Sequence, residues 1–301
     1  MDVSGALESV ELGVLLLAVS IPLVLVAVAY AVMLIRAAVA ARAVPSLEAV
    51  ALGAVTNFLD TLGIGSFAPT MAWFKFRGLV ADRLIPSTMI AGHTLPSVVL
   101  SLIFLVMLGV SVEPVLLAGC IVAAAAGAVL GAGLATRARV WVVQAVVGLA
   151  LVIAGALYAA TNLDLMPGGG VASALPAGLT AVAIVASAVF GALLNFGIGN
   201  FAPTLLMLSL MGMGPRLSFP IMAGGSALAG ASVSFRYLAQ GEMDLRIAGG
   251  IAIGGIPAVL VAAFIVKSMS LAWLRWLVVV VVAYAAAVMF RAAARGARAS
   301  A

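Results

Sequence analysis

Asp60 and His93 are ionisable side chains set deep in apolar sequence. A carboxylate and an imidazole in such surroundings form a proton-handling pair, because an embedded charge is expensive and usually functional. Asp60 lies in NFLDTLGIGSFAPT, between Asn57 and a glycine-rich break. The phrase GIGSFAPT, residues 63 to 70, returns as GIGNFAPT at residues 197 to 204. Asn57, Gly63, Ile64, Gly65 and Ser66 in the first copy are candidate binding residues, with Asn195, Gly197, Ile198, Gly199 and Asn200 in the second. The glycines permit positive φ and close backbone approach. Pro69 and Pro203 suit the first turn of a new helix, and Ser66 and Asn200 suit its N-cap. Each copy therefore reads as a helix that breaks and restarts, aiming free N–H groups and a positive dipole end at one place. Two such ends converging would bind an anion without a buried cation. Plainer roles stand beside these: small residues also allow tight packing, a lone histidine also rests neutral on a carbonyl, and Asp60 also caps irregular backbone.

The composition defines the setting. The chain has 301 residues, 65% hydrophobic and 8% charged, with mean hydropathy +1.32. Soluble domains carry about 25% charged residues, so this is an integral membrane protein. A net charge of +5 would suggest nucleic acid in a soluble chain, but no basic helix or aromatic-basic platform supports such a partner. The charge records membrane orientation instead. No phosphate-binding loop, nucleophile-base set or metal-ligand cluster is legible, so the expectation is neither an enzyme nor a cofactor or metal protein. Cys120 is the single cysteine and reads as a small apolar helix residue. Asp2, Glu8 and Glu11 make the N-terminus acidic, which favours a retained transmembrane helix over a secretory signal.

A helix crosses the hydrocarbon core in about 20 residues. Full spans are expected near 12 to 36, 86 to 109, 113 to 136, 140 to 160, 217 to 238, 244 to 267 and 271 to 291, and the GIG phrases interrupt two further segments, 47 to 76 and 176 to 213. The halves repeat beyond that phrase: GAVTNF (53 to 58) matches GALLNF (191 to 196), and ADRLIPSTMIAG (81 to 92) matches GPRLSFPIMAGG (214 to 225). This sets Asn57 over Asn195, Arg83 over Arg216 and His93 over Ser226, while Asp60 falls in a four-residue insertion unique to the first copy. If both GIG segments crossed the membrane, the lysines and arginines would divide 8 against 7; if both turn back, they divide 12 against 3. The positive-inside rule selects the second arrangement, with the N-terminus outside and the C-terminal tail in the cytoplasm. Residues 176 to 196 are nonetheless long enough to cross alone.

The paired Asn-Phe…Gly-Ile-Gly…Ala-Pro elements resemble the TauE/SafE family of sulfite and organosulfonate exporters. NFLDTLGIGSFAPT followed by DRLIPSTMIAGHT is similar to one branch of it, and the resemblance spans most of residues 47 to 290. The family's more usual GIGGG is replaced by GIG followed by Ser66-Phe67 and by Asn200-Phe201. The resemblance implies an inner-membrane carrier of small, often sulfur-containing anions, coupled to protons.

The expected fold is an all-α polytopic membrane protein of two inverted repeats. Each repeat is a re-entrant broken-helix hairpin plus three transmembrane helices, with one extra N-terminal transmembrane helix. The divisions are 1–46 for that helix and a cytoplasmic linker, 47–162 for repeat 1, 163–175 for an inter-repeat loop, 176–291 for repeat 2 and 292–301 for a basic cytoplasmic tail. The expected function is secondary active export of a small anion such as sulfite or an organosulfonate, by alternating access at a midplane site. Its partners are the anion, protons, the lipid bilayer and a second copy in a homodimer. Small-residue stripes in GAVLGAG (127 to 133) and GGIAIGG (249 to 255) serve as scaffold or dimer contacts. Two alternatives stand: a cation or metal permease using Asp60 and His93, and a non-transporting membrane assembly partner with a dry midplane.

Overall fold

A computed structural model describes residues 3–62, 65–108, 111–135, 139–163, 165, 170–196 and 198–300. Eleven α-helices account for nearly all of them: α1 (Val3–Ala40), α2 (Leu47–Thr61), α3 (Phe67–Arg77), α4 (Ile85–Leu108), α5 (Pro114–Ala135), α6 (Val140–Asn162), α7 (Ala177–Leu193), α8 (Phe201–Leu210), α9 (Pro215–Gln240), α10 (Leu245–Ser268) and α11 (Leu271–Ser300). Among the described residues the one β feature is an isolated parallel bridge between Ala172 and Met213. The chain is therefore an all-helical, multi-pass membrane protein.

Local chemistry sets the helix ends. Ser46 caps α2 by accepting the Ala49 N–H at 3.2 Å, with Glu48 in the first turn to complement the dipole. Asp244 caps α10 through the Arg246 and Ile247 N–H groups at 3.0 and 3.1 Å. The Glu113 carboxylate does the same for α5, reaching Val115 at 3.0 Å and Leu116 at 2.7 Å. α3 and α9 end on left-handed glycines, Gly78 and Gly241.

Length separates spanning helices from arms. Eight segments are long and apolar enough to cross, one more than the seven full spans expected. The eighth is α7, extended by a 3₁₀ turn over Leu194–Phe196. α2 has 15 residues, α3 has 11 and α8 has 10. At 1.5 Å per residue the longest of these three rises about 22 Å, short of a core of about 30 Å.

Hydrogen bonds between helix ends sort the chain onto two opposite ends of the bundle. At the A end Glu48 accepts from Arg77 Nε at 2.8 Å and from Trp73 Nε1 at 3.0 Å, so α3 returns to where α2 began. Thr88 Oγ1 accepts the Asp244 N–H at 2.9 Å, Ser87 Oγ donates to Glu242 O, and Arg246 Nε donates to Val44 O at 3.4 Å. At the B end the Ala172 N–H donates to Gly212 O at 3.3 Å and the Gly214 N–H to Ala172 O at 3.0 Å, so α8 returns to where α7 began. Arg216 donates to Met269 O, and Asn162 Nδ2 donates to Arg275 O at 3.2 Å, in the same region. The α2–α3 hairpin thus opens at A and the α7–α8 hairpin at B. The Arg77 guanidinium holds the Glu48 carboxyl below its usual value, so that clasp persists above the ordinary carboxylate range and fades as pH falls through the lowered value. Both partners are exposed, and such a pair adds little stability.

α4 and α9 form the centre: 72% and 78% of their spans are buried, against 17% for α1 and α6. Thr94 and Ser234 share a hydrogen bond of 2.8 Å across them. The outer packing exchanges partners between the halves, with α2 on α10, α7 on α5 and α6 on α11. The two arm contacts are backbone against backbone. A Cβ added at Gly254 of α10 would stand 1.9 Å from Val50 O, and one at Gly127 of α5 would stand 1.8 Å from Ala188 O. The stripes around residues 127 and 249 to 255 are thus scaffold within one chain. In lipid, where apolar burial gives helices little drive to associate, such approach is what holds them.

Gly254→Ala should therefore lower stability by about 1–3 kcal/mol, the usual range for forced overpacking. Gly178→Ala, whose Cβ meets nothing within 4 Å, is the control and should be neutral. Thermal unfolding in detergent reads both, and equal midpoints would refute the role of the close approach.

Candidate functional site

The first break is organised by Asp60. α2 ends at Thr61 and the backbone reverses through Gly65, whose φ of +85° is a glycine conformation. The Asp60 carboxylate reaches across the turn, and its Oδ1 accepts the Ser66 N–H at 2.8 Å. Ser66 occupies the N-cap position of α3 as expected, but its side chain makes no capping bond. Asp60, from the preceding helix, supplies the acceptor in its place. Ser66 Oγ is left buried without a hydrogen-bond partner, and the residue is 1% exposed.

The second break is built differently. Through the 3₁₀ turn the Ile198 N–H donates back to Leu193 O at 3.2 Å. Gly199 does not use the positive φ open to a glycine, whereas Gly65 does, and a 3₁₀ turn redirects the chain in the second copy. Asn200 holds the N-cap position of α8, again without a capping bond. Its Oδ1 accepts the Ser226 hydroxyl of α9. Pro69 and Pro203 fall in the first turns of α3 and α8, where the missing N–H is harmless. Gly63, Ile64 and Gly197 lie outside the described residues.

Both breaks face one cavity. Its lining includes Asp60, Gly65, Ser66 and His93 from the first half and Ile198, Gly199, Asn200 and Ser226 from the second. Room for centres of water-sized spheres amounts to about 70 Å³, several times the ~10–15 Å³ that admits one water. No lysine or arginine is among the described lining residues; the ionisable ones are Asp60, His93 and Tyr284. The electropositive features are the N-termini of α3 and α8.

His93 is held on both ring nitrogens. Asn57 Nδ2 donates to Gly53 O at 2.7 Å, which leaves its Oδ1 to accept His93 Nδ1–H at 2.9 Å. Nε2 then accepts the Thr70 hydroxyl at 3.0 Å. The set is complete with one proton on the ring, and Phe67 stacks on it with centroids 5.9 Å apart. His93 and Asp60 thus share a cavity, with His93 bonded to neutral partners.

Asn57 and Asn195 stand outside the lining. Asn57 positions His93, while Asn195 Nδ2 ties the second break to α5 through Ala128 O at 2.9 Å. Arg216 is committed to Met269 O at the B end. Sequence reasoning missed Tyr284 and Ser97 in the lining. Tyr284 carried a signal, as the one polar ring in the apolar run LVVVVVAYAAAVMF. No family model, curated protein or solved structure matches this chain.

Asp60→Ala should destabilise the protein by about 1–2 kcal/mol, as loss of a helix cap does. Asp60→Asn keeps an oxygen acceptor for the Ser66 N–H and should lose much less. Chemical denaturation in detergent distinguishes them, and identical losses would count against the capping role.

Proposed function

We propose that this chain is a secondary active transporter that moves a small anion, such as sulfite or an organosulfonate, together with protons across the cytoplasmic membrane. The observation that carries the reading is the convergence of two helix N-termini on one cavity without a lining cation. Ser66 and Asn200 occupy those N-cap positions, one in each half. An anion is what such an arrangement favours. The resemblance of the paired GIG phrases to the TauE/SafE family points to the same substrate class.

The architecture in this reading is two inverted repeats behind an extra first helix, each repeat a re-entrant hairpin and three spans. The exchange of arm partners, α2 on α10 and α7 on α5, supports it. So does the opening of the two hairpins toward opposite ends, which suits alternating access around a fixed site. In this topology the sequence assigns 12 of the 15 lysines and arginines to the side of the A end, which supports reading that side as cytoplasmic, with the N-terminus outside.

A cation site fits this geometry less well. The Asp60 Oδ1 already accepts an N–H, the helix ends repel positive charge, and among the described residues no three His, Cys, Asp or Glu side chains gather. An assembly partner has no evident use for a cavity that draws Asp60, Ser66 and Asn200 from both breaks into one wall.

Purified protein in vesicles should carry labelled sulfite, thiosulfate or an alkylsulfonate, faster with a proton gradient. The Ser66→Ala, Asn200→Ala double variant should lose about ten- to a hundredfold of that flux, since a hydrogen bond to a charged group is worth about 1.5–3 kcal/mol. Absence of flux for every one of these anions in the unaltered protein would end the proposal. Orientation has its own test: Ser270→Cys should react with an impermeant maleimide on intact cells and Ala294→Cys should not.

A further inference from the structure

We propose that the Asp60 carboxylate is a built-in competitor of the transported anion. Ionised, it holds its own negative charge at the N-terminal end of α3; protonated, it keeps the contact without the charge, so the anion binds together with one proton. This rests on the anion-carrier reading above and specifies how the two loads are linked.

Three observations meet at this point. Asp60 Oδ1 sits 2.8 Å from the Ser66 N, where an incoming anion would take its first backbone N–H. Beside it Ser66 Oγ, in a residue 1% exposed, lines the same cavity next to the Asp60 carboxyl and makes no well-formed hydrogen bond, so it is a second donor that the carboxyl and an anion would contest. Among the described lining residues there is no lysine or arginine to let two negative charges share that end. At such separation in a low-dielectric site, two anions exclude one another. The α8 terminus has no such competitor. Asn200 stands where Ser66 does, and its Oδ1 takes the Ser226 hydroxyl. One half of the site is therefore proton-gated and the other is constant.

The groups around Asp60 leave it as the gate. α4 presents His93, whose nitrogens are taken by Asn57 and Thr70. α11 presents Tyr284. On α3, Arg77 is at the far A end on Glu48, and Lys75 lies in the same last turn. On α10, Arg246 is bonded to Val44 O, also at the A end. Affinity is therefore full below the Asp60 midpoint and falls as pH rises through it. By reciprocity, bound anion raises the proton affinity of the site.

Calorimetry with thiosulfate, which does not titrate over the range used, tests this on the full-length protein in buffers of differing ionisation enthalpy. About one proton should be taken up per anion, with Kd rising about tenfold per pH unit on the alkaline side. Asp60→Asn should bind with no proton uptake and a flat Kd, and at alkaline pH at least about tenfold tighter than the unaltered protein. Binding by the unaltered protein without proton uptake at every pH up to the alkaline end of the range overturns the proposal, whether or not the variant folds. So does a folded Asp60→Asn protein that binds at no pH, or one that keeps the slope while His93→Gln loses it. If the unaltered protein and the variant bind neither thiosulfate, sulfite nor methanesulfonate at any pH, the carrier reading itself falls.

Discussion

A helix broken inside a membrane exposes N–H and C=O groups that lipid cannot satisfy. Two such breaks lie in this chain, and much of the remaining structure answers to them. Each arm is pressed against a long helix of the other half, backbone to backbone, where Gly254 and Gly127 leave no room for a side chain. Each break then closes on itself by a different device: a carboxylate from the preceding helix at Ser66, a 3₁₀ turn at Leu194–Phe196. The groups still unspent point to the one space left between the breaks. A cavity at that depth is the consequence of broken helices as much as their purpose.

The two halves are similar in plan and unequal in chemistry. The four-residue insertion carrying Asp60 gives the first half a carboxyl group at the N-terminus of α3, while the second half offers the Asn200 amide at the N-terminus of α8. His93 also has no equivalent, since its counterpart Ser226 bonds Asn200 directly. In the first half that contact is replaced by a chain running from Gly53 through Asn57 and His93 to Thr70. The lining of the cavity is therefore asymmetric between its two sides.

Much of the helical framework was legible because membrane spans announce themselves in hydropathy and the GIG phrase is repeated nearly letter for letter. The breaks were legible for the same reason. Their internal wiring was not. Ser66 and Asn200 have cap-forming side chains at the cap positions, yet neither caps: Pro69 and Pro203 remove the third N–H of each helix, and the Asn200 oxygen is taken by Ser226. Asn57 and Asn195 looked like site residues through their pairing, but each is turned onto backbone carbonyls by neighbours distant in sequence. The glycine stripes signalled close packing without saying against what. α7 carried a hydropathy signal for a full span, whereas the α8 return that brings the chain back to the B end is only 10 residues long.

The crossed packing of the arms has a consequence for biosynthesis. α2 is complete by Thr61, but the helix that covers its backbone begins only at Leu245. At roughly 5–20 residues per second, about ten seconds or more pass before α10 emerges. Through that interval the first hairpin lacks its glycine-lined groove, and for the earlier part of it the α8 terminus opposite is also not yet made. α7, by contrast, finds α5 already inserted. The nascent chain therefore completes its second hairpin before its first, and a ribosome stalled ahead of α10 leaves an unmatched broken helix in the bilayer.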